Sequence, residues 1–390
     1  MTTQYETVIG LEVHSQLLTN SKMFCSCGSD YQNAQPNTRV CPICMGMPGV
    51  LPVVNKKAVE LVILTGLALG CGISETTKFD RKNYPYPDLM KGYQISQFDQ
   101  PIAGKGVLSV QDAEGKSKDI GVTRVHLEED VAKLLHRQES HGEGYSLLDI
   151  NRAGVPLMEI VSEPDMRSPE EAHNYLTSLH SIVRQIGAST ANMEAGSFRC
   201  DANISIRPFG TSTLGEKVEI KNVNSFRSVF RALKYEEERQ REAIENGEPI
   251  IQETRGWSDE RGTTISQRTK EYASDYRYFP EPDLPPIKIS RDWVHEVKSR
   301  LPELPAARKE RYLKDLQLSE YDADILSTNL EFSILFDKTI TQFPNNDLEK
   351  LSARSKSVCN WITVEFARLI NENNEQPVNL PPNSLAELVL

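Results

Sequence analysis

The chain has 390 residues, 38% hydrophobic and 25% charged, which is enough for two or three globular domains of ordinary soluble composition. Its formal net charge of −11 speaks against indiscriminate nucleic-acid binding, though not against a local basic patch that reads one particular RNA. No apolar run reaches the ~20 residues of a membrane span, and the start Met1-Thr2-Thr3-Gln4-Tyr5-Glu6 has the form of neither a secretory signal nor a transit peptide. A cytoplasmic setting away from membranes is expected, in which the cysteines are thiols or metal ligands rather than disulfides.

Val8-Ile9-Gly10-Leu11-Glu12-Val13-His14-Ser15-Gln16 alternates apolar and polar residues, the period of a strand with one dry face. Glu12 and His14 then point the same way, away from the core, with Gly10 leaving room beside them. Next come Cys25-Ser26-Cys27 and Cys41-Pro42-Ile43-Cys44, two close pairs around the loop Gly28–Val40. Four thiolates at this spacing suit a closed tetrahedral structural zinc. Cys71, Cys200 and Cys359 stand singly among apolar neighbours and are expected in the core. The stretch 56–69 reads as a helix ending in Gly70-Cys71-Gly72.

The segment Phe79–Gln97 is rich in Tyr, Lys and Pro and shows no regular period before Tyr93, as a long ordered loop with a function would. Its Lys82-Asn83-Tyr84-Pro85-Tyr86-Pro87-Asp88-Leu89-Met90-Lys91-Gly92-Tyr93-Gln94-Ile95-Ser96-Gln97, with Ile9–His14 and Gly196–Ser205, resembles the GatB family of the tRNA-dependent Asp/Glu amidotransferases. The family's usual form has Phe where this chain has Pro85, and commonly Pro where it has Met90.

Residues 120–127 form another strand, and strict alternation puts Arg124, His126 and Glu128 on one face and Glu129 on the other. Glu159 interrupts the apolar run Val155–Val161, so a cation or a ligand must pair with it. Ser168-Pro169-Glu170-Glu171 is a capping box with Pro at the first helical position, and Gly187 suits the end of that helix. His173 and His180 on it are surface or packing residues. In 198–208, Arg199, Asp201, Asn203, Ser205 and Arg207 share a face, either solvated or suited to phosphate and metal. A helix follows to Asn246-Gly247, its charge run Glu236–Arg241 expected in solvent. Arg268-Thr269-Lys270-Glu271 leads to Asp275-Tyr276-Arg277-Tyr278-Phe279-Pro280-Glu281-Pro282-Asp283-Leu284-Pro285-Pro286, which repeats the family's motif throughout. Beyond Ser290 the pattern turns helical, over 293–300, 306–316, 321–329 and 351–371. Gly115-Lys116-Ser117 looks like the end of a P-loop but has the flanks of a hairpin, and no other enzyme signature is present.

The expected fold is α+β: a mostly antiparallel-sheet catalytic cradle over 1–289 with a zinc-binding insertion at 25–44, then an all-helical domain over 290–390. The resemblance implies ATP-dependent phosphorylation of the side-chain carboxylate of Glu mischarged on tRNA(Gln), and of Asp on tRNA(Asn), followed by displacement of phosphate by ammonia. It further implies a heterotrimer, in which an amidase partner supplies ammonia through a tunnel and a small third subunit holds the pair together. In the family a tRNA-binding tail follows the helical domain, and Leu390 falls before it. Resemblance gives Glu12, His14, Glu129 and Glu159 as the Mg²⁺ set (Mn²⁺ being an alternative suited to His14), with Glu128 as second choice to Glu129. It places Lys82 and Lys91 near the tunnel and reaction site, and Arg199, Asp201 and Asn203 around the nucleotide. Two rival expectations are a non-catalytic, zinc-stabilised tRNA-binding scaffold and a free-standing metal-dependent ligase for a small molecule.

Overall fold

The computed structural model describes residues 4–112, 114–138, 144–269, 276–344, 348–373 and 380–390. Its strands are β1 (Tyr5–Gln16), β2 (Thr76–Thr77), β3 (Asp80–Asn83), β4 (Tyr93–Ser96), β5 (Gly106–Gln111), β6 (Ser117–Glu129), β7 (Lys133–Arg137), β8 (Tyr145–Asp149), β9 (Pro156–Ser162), β10 (Phe198–Pro208), β11 (Val218–Lys221), β12 (Glu253–Ser258), β13 (Thr263–Thr269), β14 (Phe279–Pro280) and β15 (Ile287–Lys288). The helices are α1 (Lys56–Ala68), α2 (Pro169–Gln185), α3 (Phe226–Glu245), α4 (Arg291–Lys298), α5 (Pro305–Lys314), α6 (Glu320–Thr328), α7 (Leu330–Ile340), α8 (Leu348–Asn360), α9 (Ala367–Asn373) and α10 (Pro382–Val389). Among the described residues no helix is long and apolar enough to cross a membrane.

Eight strands form one sheet in the order β13-β12-β11-β10-β1-β9-β6-β5. Its pairings are antiparallel except β11 with β12, so the architecture is a mixed α/β one dominated by an antiparallel sheet. β1 sits inside this sheet because its alternation is clean: Ile9, Leu11 and Val13 are fully buried on one face. Each such side chain contributes about 1.5–3 kcal/mol relative to exposure. The opposite face of β1, β9, β10 and β6 is left for polar residues. The suspected P-loop remnant is the turn of the β5–β6 hairpin.

Local signals explain the helices around the sheet. The Asn55 side chain accepts from the backbone N–H groups of Lys57 and Ala58 at the start of α1, and its amide nitrogen reaches the Ser21 carbonyl. At α2, Ser168 Oγ accepts from Glu171 N at 3.2 Å while the Glu171 carboxylate accepts from Arg167 N at 2.7 Å, a capping box shifted one residue outward. Gly187 has φ +68°, a conformation glycine adopts without the steric cost of a Cβ.

The charge run on α3 is not the solvated face its composition predicts. Glu236 is 0% exposed and Gln240 equally so. Arg239, Gln240 and Thr264 all donate to the Glu236 carboxylate, and Arg255 lies 3.5 Å away, so the buried charge is fully partnered.

The chain divides into two compact units: residues 1–176 with 187–300, and residues 177–186 with 301–390. Helix α4 therefore goes with the first unit and not, as expected from the change of character at Ser290, with the helical region. Within that unit Trp293 Nε1 donates to Glu60 and Arg300 pairs with the same carboxylate at 3.0 Å. The second unit packs α5 to α10 around Tyr312, Phe336, Val358 and Ile362. Two of its helices, α7 and α10, had no counterpart in the sequence pattern, and the stretch 351–371 is α8 and α9 joined by a π-helical Trp361–Phe366. Lys270, Glu271 and Asp275 lie outside the described residues.

Candidate functional site

Between β1 and α1 the chain folds into a knuckle that brings Cys25, Cys27, Cys41 and Cys44 together, their sulfurs all within 4.8 Å of one another. Cys44 Sγ lies 3.9 Å from Cys41 Sγ, and tetrahedral Zn–S bonds of about 2.3 Å require sulfurs about 3.8 Å apart. The Cys41 N–H donates to Cys44 Sγ at 3.1 Å. A hydrogen bond from Cys25 holds the Cys44 thiol well below the usual thiol range, and the buried Lys22 ammonium adds to that effect. The donor set thus fits a zinc ion with no position left open for chemistry. Cys71, Cys200 and Cys359 are buried singly, as their apolar surroundings suggest.

On the polar face of the large sheet, pairing converts distant residues into neighbours. His14 on β1 stands opposite Glu159 on β9, and Glu159 stands opposite His126 on β6. Glu159 Oε2 lies 3.2 Å from His14 Nε2 and 3.6 Å from His126 Nε2, and Glu128 Oε1 lies 3.7 Å from His14 Nε2. His14, Glu128 and Glu159 each offer a ligand atom within 4.8 Å of the others. Burial works against the Glu159 carboxylate, but His126, His14 and Lys82 overcome it and hold the group well below its ordinary range. Burial also works against an imidazolium at His14; the hydrogen bond and charge of Glu159 prevail and raise it. At His126 burial prevails and lowers it. Two acids and an imidazole at this spacing suit a hard divalent cation of the Mg²⁺ or Mn²⁺ kind and leave positions for other ligands.

The register of β6 decides which acid joins the group. Its irregularity falls between Val122 and Arg124, upstream of the acids, so alternation runs unbroken from Arg124 to Glu129. Glu128 therefore faces His14, steadied by Ser96 Oγ at 3.1 Å. Glu129 turns to the other side, where it pairs with Lys91 at 2.6 Å and accepts from Ile95 N at 3.0 Å. That pair lines a cavity of about 240 Å³ together with Phe24, Cys44, Met47 and Tyr93, next to the cysteine knuckle.

Glu12 also stands apart from the three close ligands. It shares their face but accepts from Asn203 Nδ2 at 3.2 Å, opposite Asp201 in the β1–β10 register. Of the other β10 residues, Arg199 donates to Asp130 at 3.1 Å and Asp201 accepts from Lys221 at 2.8 Å. Two atoms on this face, Arg199 Nε and Asn203 Oδ1, are buried with no hydrogen-bond partner, and such atoms call for an explanation. A bound polar ligand supplies one.

Lys82, on β3, is buried against the carboxylates of the cluster. Burial opposes its charge, but Glu128 and then Glu159 hold the ammonium above the usual lysine range. Its Nζ also lies 5.0 Å from the Tyr276 ring centroid. Sequence alternation places Arg124, His126 and Glu128 on one face; that this face meets His14 and Glu159 depends on strand pairing, which no local pattern reveals. His173 packs its ring against Phe226 and Phe230 and is no part of the site.

Residues 7–295 match the family described as the GatB/GatE catalytic domain. The GatB subunit of the aspartyl/glutamyl-tRNA(Asn/Gln) amidotransferase of Dehalococcoides mccartyi (strain CBDB1) is 57% identical over 394 residues, covering 100% of this chain and 79% of the relative. The protein of the same name from Thermodesulfovibrio yellowstonii is 52% identical, covering 99% of this chain and 78% of its own length. That from Moorella thermoacetica is 49% identical, with 99% and 79% covered.

Proposed function

The chain belongs to the GatB/GatE catalytic-domain family, and on that premise we propose that it is the subunit of a tRNA-dependent aspartyl/glutamyl amidotransferase that makes the amide. It acts on Glu carried by tRNA(Gln) and on Asp carried by tRNA(Asn). The observation that carries this is the grouping of His14, Glu128 and Glu159 across three neighbouring strands, with Lys82 beside them. The first unit is then the catalytic body and the second a helical extension.

The chemistry has two stages. An oxygen of the substrate's side-chain carboxylate bonds to the γ-phosphorus of ATP as ADP departs; ammonia then attacks the acyl carbon and inorganic phosphate leaves. A divalent ion at the cluster neutralises the phosphates and fixes their geometry. His14, Glu128 and Glu159 would hold it, with Glu128 in the place that resemblance gives to Glu129. Glu12, one strand step away, orients this set or reaches it through water. Arg199 and Asn203, with their unpartnered atoms, bind the nucleotide, and Asp201 positions Lys221 beside them. Lys82 supplies positive charge where the acyl phosphate forms.

Lys91 and Glu129 bound the cavity on the far side of β6, the entry side for ammonia made by a partner amidase. A small third subunit would join the two. The cysteine knuckle holds structural zinc and stiffens the wall of that cavity. The deciding experiment reconstitutes the complex and follows ATP-dependent conversion of Glu-tRNA(Gln) to Gln-tRNA(Gln), with glutamine and with free ammonia. Turnover without ATP, or with this subunit omitted, would rule the assignment out. Tight tRNA binding with no ATP dependence would favour the scaffold instead, and amidation of a small acid without partners would favour a free-standing ligase.

A further inference from the structure

Four aromatic rings form a surface beside the cluster that the chemistry above does not use. Phe98 and Tyr278 stack in parallel, ring centroids 4.3 Å apart at 10°. Tyr276 meets Tyr278 edge-on at 6.1 Å and Tyr84 at 5.7 Å. Rings in a satellite core would be buried, yet Phe98 is 52% exposed and Tyr276 38%. Lys82 underlies the group, its Nζ 5.0 Å from the Tyr276 ring and 5.9 Å from Tyr84.

The backbone is held to make this surface. Arg277, between the two tyrosines, takes the left-handed φ of +42°, which a residue with a Cβ adopts only when its surroundings enforce it. Asn83 enforces it from both sides: its N–H donates to the Tyr276 carbonyl and its side-chain amide to the Arg277 carbonyl, each at 2.9 Å. Asn83 directly follows Lys82, so one short strand sets both the cation and the rings.

We propose that this surface, Phe98 and Tyr276 above all, seats an unpaired nucleobase, namely the 3′-terminal base of the aminoacylated tRNA. The assignment rests on the function proposed above. The carboxylate to be phosphorylated belongs to an amino acid esterified to the terminal ribose, so the terminal base must lie only a few bonds from the reacting atom. That base is unpaired and has two bare π faces, which aromatic side chains stack upon without regard to sequence. The position also agrees with in-line transfer. The β10 residues assigned to the nucleotide lie on one side of the His14–Glu159–Glu128 row, across β1, whereas the rings lie on the β3–β4 side, where Ser96 meets Glu128. The adenine of ATP shares the chemistry of a stacked base, and the test separates the two sources.

The assembled complex with its partner subunits is given Glu-tRNA(Gln) whose terminal adenine is replaced by 2-aminopurine, a base whose fluorescence falls when it stacks. Strong quenching is expected on binding to the wild type and to Phe98→Trp, and its loss in Phe98→Leu and in Tyr276→Leu. In steady-state assays the two leucine variants should raise the KM for Glu-tRNA about tenfold, the lower end of one stacked base, without moving the KM for ATP. Three results would overturn the proposal: a probe as bright on the wild type as in solution, quenching that survives both leucine variants, or a rise in KM that falls on ATP. In the last case 2-aminopurine riboside triphosphate would be the probe quenched, and the surface would belong to the nucleotide. An amidating wild-type complex with an unquenched probe sinks this inference alone. A complex that forms no Gln-tRNA sinks the function and this inference with it.

Discussion

The cysteine knuckle draws all its ligands from one loop, Cys25 to Cys44, whereas His14, Glu128 and Glu159 come from three strands and meet only when the sheet is complete. The knuckle offers four like donors and closes around its ion, leaving nothing for a substrate. The sheet offers three donors of two kinds and leaves room beside them, with Lys82 on one side and the open valences of Arg199 and Asn203 on the other. A site that only stabilises can be local and saturated. A site that must exchange ligands during turnover has to be incomplete, and its precision then comes from the scaffold rather than from the ion.

Removing a sheet ligand should therefore harm chemistry far more than folding. In Glu159→Gln, near-identical shape is kept while the charge between His14 and His126 is lost. Amide formation with free ammonia should fall about a thousandfold, equivalent to about 4 kcal/mol of transition-state stabilisation. A variant within tenfold of wild type would put the reacting centre elsewhere. Glu12→Gln tests the margin of the same site, since Glu12 shares the face without joining the three close ligands. A fall of about a hundredfold at limiting Mg²⁺ is expected; activity within twofold would remove Glu12 from the machinery.

The knuckle should answer in the opposite way. Wild-type protein purified without chelators should carry about one equivalent of zinc. Cys41→Ser should lose it and melt about 5–10 °C lower, as roughly 2–3 kcal/mol of lost stability would give, while turnover per folded molecule at low temperature changes little. Full zinc occupancy in that variant would exclude Cys41 as a ligand.

A third group of acids sharpens the contrast because the chain supplies its own cations. In the second unit Glu303 lies 2.7 Å from Arg311 and 3.3 Å from Arg308, and Arg311 pairs with Asp337 as well. Hydrogen bonds from Arg311 and then Arg308 hold Glu303 below its ordinary value of 4.5. A carboxyl lowered in the folded state contributes stability that is complete above about pH 4.5 and is lost as pH falls through the folded value. The melting temperature should therefore drop below pH 4.5, and Glu303→Gln should flatten that slope slightly without changing zinc or Mg²⁺ binding. An unchanged slope would mean the acid transition has other causes.

How much of this could be read from residues alone follows from the same distinction. The knuckle is a spacing, and spacings are visible in a sequence. So is the alternation of β10, which runs over Phe198–Pro208 with the polar residues on one face as the pattern demands. The partnership of Glu159 with two histidines was not visible, because it rests on register between strands far apart in the chain. At Glu128 and Glu129 simple alternation was the better guide than family likeness, since the irregularity of β6 lies upstream at Val122. Helix α7 escaped notice for a local reason: Asn329 ends α6 and caps α7 at once, with no glycine or proline to mark the break. The buried Glu236 misled because a run of charges says nothing of the Arg255 and Thr264 that reach it from other strands.

The place of β1 has a consequence for synthesis. It is the first strand made, yet Tyr5 pairs with Pro208 and His14 with Arg199 and Glu159. At about 5–20 residues per second, a ribosome needs about 10–40 s to deliver the roughly two hundred residues between β1 and its β10 partner. Through that interval Ile9, Leu11 and Val13 form an unpaired apolar strand at the free end of a growing chain, the kind of segment that associates with others of its kind. The knuckle and α1 can form early behind it; the reacting centre cannot. Crowded translation or slow codons before Phe198 should therefore reduce the yield of active protein, and a chaperone that holds the nascent N-terminus should restore it.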